Sequence, residues 1–380
     1  MTYGEKVTLS GKSEIFMFEN IYKGKRVLIT GHTGFKGSWL CAWLLDLGAT
    51  VVGYSVDVPT EPSHFEALAL ADRIEHIQGD VRNKSSLQEV LNKFNPDIVF
   101  HLAAQSLVRK SYENPVLTFE TNTFGTLNLL DCLREQPSVI ATILITSDKC
   151  YENVEWLWGY RENDRLGGKD PYSASKACAE LIAKAYMESF FKEEGPNIAT
   201  TRAGNVIGGG DWALDRIVPD CVRAWSKKET VEVRNPNATR PWQHVLEPLS
   251  GYLALGQKLF QGNPELKNQS FNFGPPTKVT QSVGDLITEM AQHWPGAKWS
   301  FEQEINSNKP ESTLLKLNCD KALQMLNWNS VLDFSETIRM TGKWYQDFYG
   351  QNSSTISKTT SRQIEEYTEL ATQSNLAWTQ

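Results

Sequence analysis

Thr30-Gly31-His32-Thr33-Gly34-Phe35-Lys36-Gly37 decides the fold of this chain through what stands on either side of it. Before it, Val27-Leu28-Ile29 is a short apolar run of the kind that a buried parallel strand shows. After it, Ser38-Trp39-Leu40-Cys41-Ala42-Trp43-Leu44-Leu45 opens a helix. A glycine-rich turn from strand to helix lets the backbone approach a pyrophosphate, and the helix N-terminus offers it free N–H donors. The Gly31-x-x-Gly34-x-x-Gly37 spacing departs from the usual dinucleotide fingerprint, and a tight strand–helix turn alone would also explain it. A second signal far downstream, Tyr172-Ser173-Ala174-Ser175-Lys176, turns the pair toward a nicotinamide enzyme.

Working outward, strand-like runs recur at Val27–Thr30, Thr50–Tyr54, Ile74–Gln78, Ile98–Leu102, Ile143–Ser147 and Ile198–Thr201. Helical stretches lie between them at Ser38–Leu47, Lys84–Lys93, Pro115–Arg134 and Ser173–Lys192. Alternation of this kind implies βαβ units and an α/β fold, a Rossmann-type doubly wound parallel sheet with helices on both faces. Ligands of such sheets bind at the carboxyl ends of the strands, where each motif discussed below falls. Beyond Arg202 the texture changes: Gly208-Gly209-Gly210, Asn235-Pro236-Asn237 and Gly274-Pro275-Pro276 mark loops, and helical runs return at Pro248–Phe260 and Val283–His293. This predicts an NAD-binding domain over 21–203, with a later contribution from about 240–262, and a smaller α/β substrate lobe over 204–350. An extension at 1–20 and a tail at 351–380 flank them, the tail carrying a short helix at Arg362–Thr372.

Composition narrows the class. The 380 residues suffice for a large core, and a net charge of −7 argues against a broad nucleic-acid surface. No apolar run approaches the roughly 20 residues of a membrane span, and Met1 to Asn20 lacks a signal-peptide core. Six cysteines without a Cys-x-x-Cys pair fit buried thiols in a reducing cytoplasm, and no His/Cys cluster has metal-ligand spacing.

Tyr172 and Lys176 lie four apart and so share one helical face. A tyrosine hydroxyl, with a pKa of about 10, is a poor base until a nearby cation favours its phenolate. Lys176 and a positive nicotinamide ring are expected to supply that pull, letting Tyr172 take a proton from a sugar hydroxyl as hydride leaves the same carbon. Thr146-Ser147-Asp148-Lys149 ends a strand, so Ser147 can share the proton with Tyr172, Asp148 can act as an acid, and Lys149 as a second acid or base. A solvated turn would also end in Ser-Asp-Lys. Asp80, after the third strand, is placed to accept from an adenine amino group, and Ala103 and Ala104, after the fourth, to let a dinucleotide lie against the backbone. Ser55 and Asp57 end the second strand, where an acid holds a ribose diol; Tyr54 to Glu61 contains no Arg or Lys, which favours NAD over NADP. Arg202, Asn205, Arg216, Arg234 and Arg240 stand out in the second half, with Asn205, Arg216 and Arg240 suited to a diphosphate. Trp212 and Trp242 are candidates to stack on a base or wall a pocket.

With these residues in place, the chain from about Gly24 to Trp344 resembles the extended short-chain dehydrogenases/reductases that modify nucleotide sugars. The family-level signatures are Thr30-Gly31-x-x-Gly34-x-x-Gly37, Asn122 within Thr121-Asn122-Thr123, and Tyr172-x-x-x-Lys176. Longer segments are similar to the branch of 4,6-dehydratases: Gly31–Trp39, Ile145–Tyr151, Trp158–Asn163, Arg202–Trp212 and Arg240–Pro248. Lys149, where related dehydratases of dTDP- or GDP-sugars carry Glu, places the resemblance with those acting on CDP-glucose. The resemblance implies tightly held NAD, oxidation at C4 of the glucose, loss of water across C5 and C6, and return of hydride to C6. It implies a catalytic set of Ser147, Asp148, Lys149, Tyr172 and Lys176, with the part of Lys149 left open among base, acid and electrostatic guide. Its cofactor set is Gly31, Thr33, Gly34, Phe35, Lys36, Gly37, Asp57, Asp80, Val81, Leu102, Ala103, Ala104, Gln105, Thr121, Tyr172 and Lys176. Its substrate set is Ser106, Arg109, Asn205, Arg216 and Arg240. A homodimer or higher homo-oligomer, formed through Pro115–Arg134 and Ser173–Lys192, is also implied. Two alternatives remain: a 4-epimerase or decarboxylase, which would not need Asp148-Lys149, and a non-catalytic nucleotide-sugar-binding protein, which would not need an intact Ser147, Tyr172 and Lys176.

Overall fold

The apolar run at 27–29 becomes the inner part of strand β1 (Arg26–Thr30), buried from Val27 onward. The structure, a computed structural model, describes residues 17–233, 235–276, 281–301, 314–350 and 356–380. Six further strands join β1: β2 (Thr50–Ser55), β3 (Glu75–Gln78), β4 (Ile98–His101), β5 (Ala141–Ile145), β6 (Asn197–Arg202) and β7 (Gln269–Asn272). Their order is β7-β6-β5-β4-β1-β2-β3, and every neighbouring pair is parallel. The chain starts at the centre, winds out to β3 and returns to β4 on the other side. The order therefore reverses between β1 and β4, whose last residues Thr30 and His101 lie in register. A crevice opens at that point because the connections leave in opposite directions.

Side chains alternate across a strand, so Val27 and Ile29 face one layer and Leu28 the other. The first layer packs under helix α1 (Phe35–Asp46), which is buried over Gly37–Leu44 and apolar nearly all round. The second lies under α2 (Lys84–Phe94), α3 (Gly125–Leu133) and α4 (Pro171–Ser189). Helix α5 (Ile217–Ser226) and the parallel pair Val231–Val233 and Trp299–Phe301 belong to the second half. Helix α6 (Leu246–Phe260) packs against β5 and β6 in the first layer, and α7 (Val283–Gln292) follows.

The structure moves several expected boundaries, each for a local reason. β5 ends at Ile145, two residues early: the Thr146 N–H still bonds the Thr201 carbonyl of β6, but Ser147 then caps a 3₁₀ turn. The single helix expected over Pro115–Arg134 is α-helical at Pro115–Phe119 and Gly125–Leu133, with a π turn at Glu120–Phe124 between them. That turn aims Asn122 inward, a use typical of π turns. β7 was not expected, since Gln-Ser-Phe-Asn has no apolar run; an edge strand needs only one buried side and one partner.

The C-terminal segment is the largest departure. Beside α8 (Phe334–Tyr349), helix α9 (Ile356–Gln373) is longer than the short helix expected and docks on α1 and α8. Its buried face (Ile356, Ile364, Tyr367, Ala371) is diluted by threonines, which hid the apolar stripe. Trp378 then stacks on Phe18 at 5.0 Å and on Tyr367 at 5.9 Å, so residues expected in the flanking extension and tail are core.

Candidate active site

The turn after β1 is shaped by what a side chain would strike. Gly31 has φ +77°, and a Cβ there would lie 2.6 Å from the Ala103 nitrogen. A Cβ on Gly37 would lie 2.2 Å from the Gly31 carbonyl oxygen. Gly34 differs: its nearest protein neighbour would be the Gly31 oxygen at 3.4 Å, an ordinary approach. Packing does not require glycine at 34, so the open space beside it suits a ligand. Gly34 also caps α1 with no side-chain acceptor, which leaves that helix's first N–H groups for an anion. Ala103 and Ala104, half-buried at the end of β4, face the same crevice entrance with little bulk. These features fit a dinucleotide pyrophosphate.

Polar groups around the turn are tied down. Ser55 closes β2 and its hydroxyl pairs with His32 Nδ1 at 2.9 Å, while His32 Nε2 pairs with His76 Nδ1 at 2.7 Å. Thr33 donates its hydroxyl to the Asp57 carbonyl at 2.6 Å, and the Asp57 side chain stands exposed beyond the strand. Asp80 is already forked by Arg82, at 2.8 and 2.5 Å, which holds its carboxyl below the usual range. Val81 packs onto Gly125, and its carbonyl accepts from Asn128. Asn122 bonds both ways with the Gln105 backbone and donates to Ser175 at 2.9 Å, locking the β4 exit to α4. Thr121 lies next to it, half-buried, and Leu102 continues from β4 with its N–H on the Thr30 carbonyl. Phe35 fills space against Gly208.

The reactive groups converge at the end of β5. Ser147 donates to Asp148 Oδ1 at 3.0 Å and accepts from the Lys149 N–H at 3.2 Å. From α4, whose first turn is capped by Asp170, Tyr172 comes to the same turn, where Ser147 favours its phenolate. Asp148 and Tyr172 feel each other's charge. One turn along α4, Lys176 donates to the Ile145 carbonyl at 3.3 Å. Ser147, Asp148, Tyr172 and Lys176 are all buried, whereas Lys149 is part-exposed. Burial pushes Tyr172 up to about 12; Ser147 and Arg216 pull the other way, and Asp148 adds to the rise. Burial outweighs these pulls on the phenol. Burial also drives the amines down, Lys176 and Lys36 each to about 8. Lys36 faces Arg216, Asp148, Lys176 and Asp211, so its amine lies in the reactive crevice.

Gly204 is a functional position that the sequence reading missed. A Cβ there would stand 1.9 Å from Asp148 Oδ2, so only glycine leaves room for that carboxylate. Gln243 pins this turn by donating to the Gly204 and Phe273 carbonyls, both at 3.0 Å. Next to it Asn205 sits at φ +51°. Across the crevice Arg216 reaches Asp211 at 2.7 Å and Ser106 at 3.3 Å, and Arg109 pairs with Asp215 at 2.6 Å. Ser106, Arg109 and Arg216 therefore meet on one rim, while Arg240 is placed on the short strand Thr239–Arg240 with a bond to its neighbour's carbonyl. Arg202 is no ligand-facing cation: it is buried in an ion pair with Glu180 at 2.7 Å. Trp212 and Trp242 are buried core, Trp212 among Trp344, Tyr345 and Phe348, and so do not stack on a base. Arg234 lies outside the described residues.

A parallel sheet with a switch-point crevice, a glycine cradle and a Ser/Tyr/Lys set defines an extended short-chain dehydrogenase/reductase scaffold. The chain belongs to the GDP-mannose 4,6 dehydratase family, whose sequence profile matches residues 28–341. It is 45% identical over 361 residues to the CDP-glucose 4,6-dehydratase of Salmonella typhimurium, covering 93% of this chain and 99% of that one. Its fold is shared by dTDP-glucose 4,6-dehydratase of Bacillus anthracis, solved in complex with NAD (TM-score 0.70, 19% identity, 85% and 97% of the two chains). An epimerase of Methanothermobacter thermautotrophicus superposes similarly (TM-score 0.73, 22% identity, 87% and 95%). No helix among the described residues is long and apolar enough to cross a membrane.

Proposed function

We propose that this chain is an NAD-dependent hydro-lyase that converts CDP-D-glucose to CDP-4-keto-6-deoxy-D-glucose and water, in the cytoplasm, as a step of deoxysugar biosynthesis. The observation that carries it is the buried Asp148 carboxylate, seated on Gly204 beside Ser147 and Tyr172. An epimerase needs only the Ser/Tyr/Lys set; an acid at the same point serves the loss of a hydroxyl. The 45% identity to a CDP-glucose 4,6-dehydratase supports the substrate.

Gly31, Gly34 and Gly37 with the N-terminus of α1 would hold the NAD pyrophosphate. Bound NAD supplies a reversible hydride acceptor and a positive ring that favours the Tyr172 phenolate. Tyr172 takes the C4 hydroxyl proton through its phenol oxygen, and Ser147 Oγ shares that hydrogen bond. The resulting 4-keto group acidifies the C5 proton. Asp148 in its acid form gives its proton to the C6 hydroxyl, which leaves as water while the C5 proton passes to a base. Lys149, beside Asp148, serves as base, acid or electrostatic guide. C6 then regains the hydride that C4 gave up, and C5 a proton. Arg216, Arg240 and Asn205 take the diphosphate. The exposed apolar side chains Val116, Phe124, Leu181 and Phe190 lie on the helices expected to pair, which supports a homodimer.

The test is incubation with CDP-D-glucose without added reductant, followed by product mass and alkaline absorbance. Loss of one water is expected. An isomer of unchanged mass would assign an epimerase, and water loss only from dTDP- or GDP-sugars would change the base.

A further inference from the structure

Beneath the reactive groups lies a carboxylate that the mechanism above does not use. Glu180 sits on α4 one turn beyond Lys176 and two beyond Tyr172, so the three share a face. It is buried, and each of its oxygens accepts twice: Oε1 from Thr146 at 2.5 Å and Arg202 Nε at 3.0 Å, Oε2 from Thr200 at 2.9 Å and an Arg202 terminal nitrogen at 2.7 Å. Arg202 spends its remaining donors on Tyr151, Glu162 and Ser270. Burying such a pair carries a desolvation cost that apolar residues of similar volume would avoid, so stability alone is a poor reason for it. Its placement offers a better one. Thr146 is the residue immediately before Ser147 and Asp148, and Thr200 and Arg202 belong to the neighbouring strand β6.

We propose that Glu180 is a positioning residue for the reaction: it braces the turn that carries Ser147 and Asp148, and it supplies the counter-charge that faces Lys176. The inference rests on the reading of Tyr172 and Lys176 as the oxidising set. The groups around Lys176 leave Glu180 the dominant anion. Cys150 comes from the 3₁₀ turn, His101 from β4 and Lys36 from α1, while Arg202 from β6 is paired with Glu180 itself. Burial disfavours the Lys176 cation, while Glu180 heads the influences that retain it, with Cys150 after it.

Two variants of the full chain separate the two roles. In Glu180→Gln the side-chain shape is kept and the charge removed. Trace acetic anhydride labelling across pH, located by peptide mass, reads the neutral fraction of Lys176 with no substrate present. That fraction should rise about tenfold at a fixed pH below the native midpoint, the equivalent of one pH unit. The alkaline limb of kcat should move down by the same interval, with KM for CDP-D-glucose changed less than about threefold. Thr146→Val keeps the ion pair and loses the brace: kcat should fall about tenfold or more at every pH while the Lys176 labelling curve stays put. A Glu180→Gln curve superimposed on the parent's would overturn the counter-charge, and a parental kcat in Thr146→Val would overturn the brace. A labelling shift in a protein that does not turn over CDP-D-glucose would uphold Glu180 and sink the substrate assignment instead.

Discussion

Gly204→Ala asks whether the chemistry depends on where the Asp148 carboxylate sits. The backbone at 204 is not in the left-handed region, so alanine brings no conformational strain, only volume. Its Cβ would stand 1.9 Å from Asp148 Oδ2 and 2.1 Å from Cγ. Carbon contacts settle near about 3.5 Å, so the carboxyl must retreat by roughly 1.5 Å. The Asp148 backbone is fixed in its 3₁₀ turn, and retreat means rotating the side chain off its 3.0 Å bond from Ser147. Overpacking of this kind costs roughly 1–3 kcal/mol of stability. A misplacement of about 1 Å at a reacting group costs on the order of 10²-fold in rate. Water loss should therefore slow by about that factor while C4 oxidation proceeds. The assay is rapid quench of the enzyme with CDP-D-glucose and mass analysis of the bound sugar, beside a thermal melt and a measure of retained NAD. A 4-keto-glucose nucleotide should accumulate in a folded, NAD-loaded protein. Dehydration at a parental rate, or a block at the oxidation step with no such intermediate, would refute the reasoning.

Other outcomes follow from the same geometry. Tyr172→Phe should keep its NAD and lose turnover by orders of magnitude, checked by cofactor content and product formation. Asp148→Asn should slow elimination more than oxidation, visible as the same 4-keto intermediate. Gly34→Ala should melt like the parent, since its Cβ meets only ordinary contact, yet bind NAD at least about tenfold more weakly by calorimetry because the methyl occupies the cradle. Stability should fall steeply in acid: burial holds His32, His64, His101 and His244 at about 3, so their folded forms stay neutral while the unfolded chain takes up protons below about 6.5. Glu247, raised by burial to about 7, works the other way, its folded form holding a proton between about 4.5 and 7 that the unfolded chain releases. Four imidazoles outweigh one carboxyl, and urea melts from pH 8 to pH 5 should show a net loss.

The sequence by itself determined the sheet's first six strands, the glycine turn and the Tyr172–Lys176 face, because each is a local pattern: an apolar run, a turn that only glycine fits, a four-residue helical spacing. It also placed Ser147 and Asp148 at a strand end. Only tertiary structure decided the rest. Gly204 is important because Asp148, far away in the chain, needs its empty Cβ position. Trp212 reads equally well as a stacking platform or as core, and the helix carrying Trp344 and Phe348 makes it core. Arg202 looks like a phosphate ligand until Glu180 is seen against it. Burial, too, is collective: no spacing in the chain reveals that enclosure lifts Tyr172 and depresses Lys176 and Lys36. A sequence records what neighbours in the chain require of one another, whereas desolvation, steric vacancy and ion pairing are set by residues that meet only when the sheet closes.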